Sequence, residues 1–548
     1  MSNGGKKDSA ELDTSALPPL PKGWCWGTIE QVASYESNSL AIGPFGSNLK
    51  VSDYTDSGVP LVFVRNIRSE KFAENEDRYV SPAKADELRA HWVLPGDLLV
   101  TKMGDPPGDC CLYPLDRPPA VITADCIKIG LSRAAGYANF FLYAVRSELV
   151  HTQILAITRG VAQQKVSLGR FRAVFLPVAP LPEQRRIVAK IEELFSDLDA
   201  GVAALQRAKA KLKRYRAAVL KAAVEGRLTE PWRKKHRPKE TGQQLLERIL
   251  RQRRLKWEED QSAAYAKAGK TPPANWKQKY KEPAQPDASN LPELPEGWAQ
   301  GSLEQLTSVA RPICYGILMP KANVPDGVLY VKVKDMKGDQ INLATLERTA
   351  PEIAAQYARA SLKEGDVLLA IRGTYGRVAM VPPELDGGNI TQDTARLSVN
   401  AEVDPVYVAW YLRSIGCQNY FKRVARGVAV KGVNIGDVRP CCIMLPSIDE
   451  QRAIVTEVED RLSVVHHTEA EIDAELKRST RLRQSILKRA FEGKLVPQDP
   501  ADEPASVLLD RIQAQRSNGD DPSAEAAPSE KPRKRGSRQR GWEGDGNA

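Results

Sequence analysis

Leu17-Pro18-Pro19-Leu20-Pro21-Lys22-Gly23-Trp24 returns 274 residues later as Leu291-Pro292-Glu293-Leu294-Pro295-Glu296-Gly297-Trp298. The next lines return with it. Gly27-Thr28-Ile29-Glu30-Gln31-Val32 matches Gly301-Ser302-Leu303-Glu304-Gln305-Leu306, and Gly96-Asp97-Leu98-Leu99 matches Gly365-Asp366-Val367-Leu368. From Arg159-Gly160-Val161-Ala162 and Arg426-Gly427-Val428-Ala429 the spacing settles at 267 residues. It holds through Glu183-Gln184-Arg185 against Glu450-Gln451-Arg452, and through Glu225-Gly226-Arg227-Leu228 against Glu492-Gly493-Lys494-Leu495. Leu245-Leu246-Glu247-Arg248-Ile249 has a further echo in Leu508-Leu509-Asp510-Arg511-Ile512. Self-similarity in this order means one structural unit duplicated head to tail. Between Ser37 and Ile157 the copies share only a few anchor residues, so each unit has a variable front and a rigidly spaced back.

At 548 residues the chain exceeds one ordinary core. Its 42% hydrophobic and 27% charged residues read as globular. No apolar run approaches the ~18–20 residues needed to span a bilayer. Met1–Asp13 has no apolar signal core, which leads us to expect a cytoplasmic protein. The eight cysteines include no C-x-x-C pair, and the five histidines show no metal-ligand spacing. Small buried thiols in a reducing compartment account for them. The formal net charge of +10 points toward nucleic acid, but residues 231–290 hold 15 Lys and Arg against 7 Asp and Glu. The charge marks a basic middle segment, not the globular parts.

Within each front, Val59–Ile67, Gly96–Thr101, Ala120–Ile129 and Val166–Val178 read as strands. Their counterparts are Val328–Val333, Gly365–Arg372, Ile390–Val399 and Val433–Leu445. Tyr137–Thr158 and Asp404–Val424 have helical apolar spacing. The back of each unit reads as one long helix. Ile187, Ile191, Leu194, Leu198, Gly201, Leu205, Ala208, Leu212, Tyr215 and Val219 step by four and three, which is a heptad seam. Glu183–Glu225 would span roughly 64 Å at ~1.5 Å per residue. In the second copy Ile454, Val458, Val465, Ile472, Leu482 and Ile486 hold the seam, with Leu462 and Leu476 filling in from the adjacent position. Pairing the two helices buries both stripes, antiparallel if the units are related by a pseudo-dyad. Two separate helices, each packed on its own domain, stay open as the alternative.

A short helix is expected at Gln243–Glu259 in the basic segment, where Trp232, Trp257, Tyr265, Trp276 and Tyr280 interleave with the charges. Phosphate contact with stacking and a solvated linker with docked aromatics are equal readings there. From Ser517 the composition loses periodicity, and a disordered tail is expected.

Catalytic motifs are missing from the sequence. There is no G-x-x-x-x-G-K-[ST] and no Gly-rich cofactor loop after a strand. Asp105-Pro106-Pro107-Gly108 approaches the Asp-Pro-Pro-aromatic pattern of amino-methyltransferases, but glycine stands where the base-stacking ring is required. A proline-rich turn is the better account, and Gly43-Pro44-Phe45-Gly46-Ser47-Asn48 is also a turn.

The doubled Leu-Pro-x-Gly-Trp opening, Gly43-Pro44-Phe45-Gly46-Ser47-Asn48 with Val64-Arg65-Asn66-Ile67, Pro95-Gly96-Asp97-Leu98-Leu99, Leu181-Pro182-Glu183-Gln184-Arg185, and the ending Leu220-Lys221-Ala222-Ala223-Val224-Glu225-Gly226-Arg227-Leu228 together resemble the specificity subunits of type I restriction–modification enzymes. The likeness covers residues 17 to 512, and its order repeated twice is what makes it specific. The resemblance implies a non-catalytic subunit in which each variable front reads one half of a bipartite sequence in double-stranded DNA. The long helices would act as a ruler and as a dock for two methylation subunits. Those partners would bind S-adenosylmethionine, and separate restriction (motor) subunits would use ATP and Mg. No cofactor is expected in this chain. The second copy departs from the pattern, with Arg311-Pro312-Ile313-Cys314-Tyr315-Gly316 in place of the Gly-Pro-Phe-Gly-Ser stretch.

The expected fold is α+β, with two mixed α/β target-recognition domains in a pseudo-twofold repeat, separated by two long helices forming an antiparallel coiled coil. Residues 1–16 are expected to be disordered, with recognition domains at 17–180 and 291–447. The helices are expected at 181–228 and 448–495, the basic linker at 229–290, a short C-terminal helix region at 496–516, and a disordered tail at 517–548. Base edges are read by polar side chains on variable strands and loops. The candidates are Ser47, Asn48, Arg65, Asn66 and Lys102 in the first domain, and Lys332, Lys334, Arg372 and Tyr375 in the second. Arg159 with Lys165, and Arg426 with Lys431, recur outside the variable parts and suit phosphate contacts. Two other classes compete: a coiled-coil adaptor that reads no DNA, and a self-contained restriction enzyme.

Overall fold

Trp24 and Trp298, which close the two copies of the opening motif, are 8% and 6% exposed. A buried indole needs an acceptor for its N–H. Trp24 Nε1 donates to Glu183 Oε2 at 2.9 Å, and Trp298 Nε1 donates to Glu450 Oε2 at 3.0 Å. Both acceptors lie in the first turn of a long helix, Leu181–Val224 in one case and Ile448–Phe491 in the other. The neighbouring glutamines close the same joint. Gln184 accepts from Tyr137 N at 3.1 Å and donates to the carbonyls of Ala135 and Ala179. Gln451 accepts from Asp404 N at 2.9 Å and donates to the Pro446 carbonyl. The Glu-Gln pair of each helix is therefore a clamp on the sheet-bearing part of the unit.

The computed structural model describes residues 15, 17–68, 71–74, 78–104, 106–159, 164–289, 293–428 and 430–518. The expectations for residues 1–16 and for the tail beyond 518 fall almost wholly outside the described residues, as does Asp105. The chain divides into two units, residues 1–203 with 476–548, and residues 204–475.

In the first unit Cys25–Thr28 pairs antiparallel with Phe175–Val178. A four-stranded antiparallel sheet has the order Leu40–Ile42, Cys126–Ile129, Leu98–Thr101, Cys110–Leu112. A second sheet contains the parallel pair Val59–Val62 and Ala120–Ile122. Phe140, Phe141, Ile127, Val178, Ile187 and Ile191 share one core with Ile486, Leu487 and Phe491. The start of the first long helix and the end of the second thus pack on the same sheet-bearing core. They run antiparallel: Arg186 pairs with Asp502, while Arg483 pairs with Asp199 and lies 4.7 Å over the Phe195 ring. The C-terminal helix Ala505–Asn518 closes the unit, with Leu508 and Ile512 buried and Ala505 N bonded to the Gly23 carbonyl at 2.8 Å.

The second unit uses the same parts. Ala299–Ser302 pairs antiparallel with Cys442–Leu445. The four-stranded sheet runs Cys314–Tyr315, Thr394–Leu397, Val367–Ala370, Val378–Met380. Val328–Val331 and Asn389–Ile390 form the parallel pair. Val219, Leu220 and Val224 share a core with Ile454, Val458 and Leu462. Lys209 pairs with Asp473, and Arg216 lies 3.2 Å from His466 Nε2, so these helix segments are antiparallel too. The place of the C-terminal helix is taken by Gly242–Lys267, which buries Leu245, Leu246 and Ile249 and bonds Gly242 N to the Gly297 carbonyl at 2.7 Å. That docking explains the faint echo between Leu245-Leu246 and Leu508-Leu509.

Several expected elements are subdivided. Val59–Ile67 is a strand to Val62 and then a helical turn, Val64–Ile67. In Val166–Val178 and Val433–Leu445, helical turns at Leu168–Arg172 and Ile435–Val438 precede the strands. Ser147 and Ser414 each end one helix and start the next, breaking Tyr137–Thr158 and Asp404–Val424 in two. Ser414 Oγ accepts from Cys417 N and caps the new helix, whereas the Ser147 hydroxyl donates to the Ala144 carbonyl of the helix it ends; apolar spacing reveals neither. The helix expected at Gln243–Glu259 runs longer, to Lys267. In the first helix the heptad seam is buried only near its ends, whereas in the second it stays buried from Ile454 through Leu462, Val465 and Ile472. Gly201 is exposed, Leu198, Leu205 and Leu212 are half-buried, and Tyr215 and Leu482 are 46% and 48% exposed.

Burial lifts the Glu183 carboxyl above its ordinary value, and the Trp24 donor and Arg186 oppose that shift. A raised acid pKa means the folded state holds its proton longer, so this group's contribution to stability falls as pH rises. Trp24→Phe removes the principal donor and should cost about 1.5–3 kcal/mol in urea denaturation. The loss should be larger at about pH 8 than at about pH 5. A pH-independent loss would refute the clamp.

Candidate nucleic-acid interface

One edge of each unit is assembled from three chain segments. In the first unit the end of strand Leu98–Thr101 leads into Lys102, whose carbonyl accepts from Val166 N at 3.0 Å. Gln164–Lys165 pairs antiparallel with Met103–Gly104, and the Arg159 and Lys165 backbones exchange hydrogen bonds of 3.1 and 2.9 Å. The Arg159–Lys165 turn is thereby stitched to the end of the sheet, with both side chains exposed. The third segment is the loop after Leu40–Ile42. Gly43 is pressed onto the Thr123 carbonyl so closely that a Cβ would collide with it. Pro44 is buried and Phe45 is 65% exposed, with the Lys102 ammonium 5.5 Å from its ring. Lys102 Nζ also donates to the Ala124 carbonyl at 3.1 Å.

The second unit builds the same edge from different residues. Val433 N donates to the Ile371 carbonyl at 2.7 Å, Gly373 N to Lys431 O at 3.0 Å, and Arg426 exchanges backbone bonds with Gly432. Gly316 takes the place of Gly43, since a Cβ there would collide with the Ile390 carbonyl. The stretch that replaces Gly-Pro-Phe-Gly-Ser therefore keeps the one residue its backbone requires. Tyr315, Leu318, Arg372, Gln392, Arg426 and Val430 line a cleft of about 560 Å³.

Of the candidate residues, Ser47, Asn48, Lys102, Arg159 and Lys165 meet at the first edge, and Arg372, Arg426 and Lys431 at the second. Ser47 and Asn48 are exposed and bonded to each other at 3.3 Å. Arg372 is 4.0 Å from Asp393, and Arg426 lies 3.6 Å from Asp437. Arg65 is exposed on a helical turn, its guanidinium 4.2 Å above the Phe63 ring. Asn66 is 2% exposed, its amide accepting from Phe63 N and donating to the Ala73 carbonyl, so it shapes that turn from within. Tyr375 packs half-buried against the core. Lys332 and Lys334 form a separate cluster: both donate to Glu347, at 2.6 and 3.0 Å, beside the Tyr330 hydroxyl at 2.9 Å. The basic linker is folded. Trp257 stacks on Trp276 at 5.9 Å and meets Tyr280 edge-on at 5.3 Å, while Arg254 lies over Tyr280. Trp232 stacks on His236. Those rings engage one another. Among the described residues no group of His, Cys, Asp and Glu is placed to hold a metal ion.

Sequence reasoning missed the exposed apolar side chains beside these cations: Phe45, Leu318 at 50%, Met319 at 75% and Val430 at 58%. A sequence does not separate an apolar residue turned outward from one turned inward, and only the Gly-Pro turn at 43–44 hinted at it.

The specificity subunit of the type I restriction enzyme EcoBI from Escherichia coli is 27% identical over 526 residues, covering 94% of this chain and 97% of that relative. This chain is a homologue of type I restriction enzyme specificity subunits. The StySPI specificity subunit of Salmonella potsdam is 21% identical over 513 residues, 91% of this chain and 96% of that one. A chain from a structure of type I R-M complex assembly and conformational transition matches with a TM-score of 0.57 at 18% identity, over 87% of this chain and all of that chain, and so shares its fold. No protein-family model matches. Among the described residues of this specificity-subunit homologue, no helix is long and apolar enough to cross a membrane.

Lys332, then Lys334 and Tyr330, hold the Glu347 carboxyl down at about 2. A depressed acid contributes stability that is present above its ordinary value of 4.5 and lost as pH falls toward 2. Glu347→Gln should flatten that part of the pH profile of the urea midpoint. An unchanged profile would show that the cluster does not act in the folded state.

Proposed function

We propose that this chain is the sequence-reading, non-catalytic specificity subunit of a type I restriction–modification complex in the cytoplasm, with two recognition domains on paired helices. The single observation that carries the reading is the edge built twice: a basic turn held by backbone bonds to the end of a sheet, beside a loop whose residues differ between the copies. Recurring cations held by backbone bonds at the end of a sheet suit phosphates, and variable side chains next to them suit base edges. Residues 17–180 and 291–447 are the two domains, and residues 181–228 and 448–495 the helices between them. The domains read two unlike half-sites at a spacing set by helix length. Arg159, Lys165, Arg426 and Lys431 are the phosphate contacts; Ser47, Asn48, Arg65, Lys102 and Arg372 face the bases. Asn66 and Tyr375 support the interface from behind, and Lys332 and Lys334 lend charge to it only as far as Glu347 leaves it unspent.

The exposed apolar side chains of the long helices, Tyr215, Val464 and Leu482, provide surface for the two methylation subunits. S-Adenosylmethionine chemistry belongs to those partners, and ATP and Mg to the restriction subunits. An adaptor that reads no DNA would have no need of two different loops on one scaffold.

Mapping methylated adenines in the host genome gives the target. Exchanging residues 37–157 should then alter one half-site only, and one heptad inserted after Leu205 should alter the spacer while keeping both half-sites. Methylation changed at both halves by the exchange would refute the modular reading. Lys165→Ala should weaken binding of the chain with its methylation partner about equally on all sequences and lower the salt slope by about 1. A change in preferred sequence would remove Lys165 from the phosphate contacts.

A further inference from the structure

The apolar residues at the two edges have no place in a reading by hydrogen bonds and phosphate contacts. Phe45 is 65% exposed although Gly43 and Pro44 just before it are buried. Its loop is held firmly: Asn48 N donates to the Phe45 carbonyl at 2.8 Å, and Gly43 N to Cys126 O at 3.1 Å. In the second unit Leu318 and Met319 are 50% and 75% exposed between two fixed points. Ile317 is fully buried with its N–H on the Ile390 carbonyl at 2.7 Å, and the Pro320 carbonyl accepts from Thr349 Oγ1 at 2.8 Å. Unlike sequences therefore project bulky apolar side chains from topologically equivalent rigid loops. Each projection stands among cations, Lys102 against Phe45, and Arg372 with Arg426 around the cleft that Leu318 lines.

We propose that Phe45 in the first unit, and Leu318 with Met319 in the second, are wedges that enter a base step of the half-site each unit reads. This deepens the specificity-subunit reading and rests on it. Phe, Leu and Met are side chains that part stacked bases from a groove, and flanking cations hold the phosphates on either side while they do so. A rigid loop makes the wedge effective, because the side chain does not fold away under the load of unstacking. A parted step also favours sequences that unstack readily, adding preference without a hydrogen bond.

The test uses the full chain with its methylation partner on duplexes carrying the mapped target, with 2-aminopurine placed at successive positions. The wild-type complex should brighten 2-aminopurine at one step in each half-site other than at the adenine that is methylated, which the methylation partner itself would extrude. Phe45→Ala should abolish the signal in the first unit's half-site alone and weaken binding by about 5- to 100-fold. It should leave the salt slope unchanged, because no charge is removed. Leu318→Ala with Met319→Ala should do the same in the other half-site, and Phe45→Leu should keep most of the brightening. Unaltered affinity in Phe45→Ala, or brightening that persists without the ring, overturns the proposal. So does a loss of wild-type affinity when deoxyuridine replaces thymidine with no brightened step, which would mean a methyl contact. If the wild-type complex does not select its mapped target at all, the specificity-subunit reading fails and the wedge with it. If it selects the target and no step brightens, only the wedge fails.

Discussion

The indole–carboxylate bond at the root of each long helix is the constraint on which the rest depends. Trp24 with Glu183, and Trp298 with Glu450, join a strand-opening residue to a helix 159 and 152 positions away. A buried carboxylate is costly unless donors surround it. Glu450 has Trp298, Thr229 Oγ1 at 2.8 Å and Arg233 Nε at 2.9 Å. Neither residue can move without leaving the other's polar group unsatisfied in a dry core. The adjacent glutamine adds bonds to loop backbone, so the first helical turn cannot rotate relative to the sheet it leaves.

That fixed joint lets the edge opposite it vary. The basic turns at 159–165 and 426–432 are tied to their sheets by main-chain bonds, which are indifferent to side-chain identity. The neighbouring loops need only one glycine each, Gly43 or Gly316, where backbone passes over a carbonyl. Everything else in those loops is free to differ, and it does. Such a division suits a reader whose scaffold must stay constant while its text changes. In the proposed reading the cations there would supply the part of binding that ignores sequence, and the loops beside them the part that does not.

The long helices show a related division along their length. Their ends are buried with sheet residues in each unit's core, as Ile187, Ile191, Ile454 and Val458 show by being at most 1% exposed. The middle of the first helix is only half-buried at Leu198, Leu205 and Leu212 and pairs through Lys209 with Asp473, while the second keeps Leu462, Val465 and Ile472 buried; Tyr215 and Leu482 stand half in solvent. Exposed pairs contribute little to stability. The buried apolar seam carries the helices, and Tyr215, Val464 and Leu482 lie outside it.

The sequence alone was enough to show the duplication, the long helices and the resemblance to specificity subunits, and it left open whether the helices pair or pack apart. Each of these follows from periodicity or order, which need no coordinates. The helix breaks at Ser147 and Ser414 were not legible, because apolar spacing continues across both serines. Nor was the burial of Asn66, whose amide is taken by backbone brought close only by the turn, or the tie of Lys332 and Lys334 to Glu347. Charged and polar side chains look alike in a sequence whether they face solvent, DNA or a neighbour. Tertiary structure decided which cations share an edge and which apolar residues stand exposed beside them, because both depend on contacts between segments far apart along the chain.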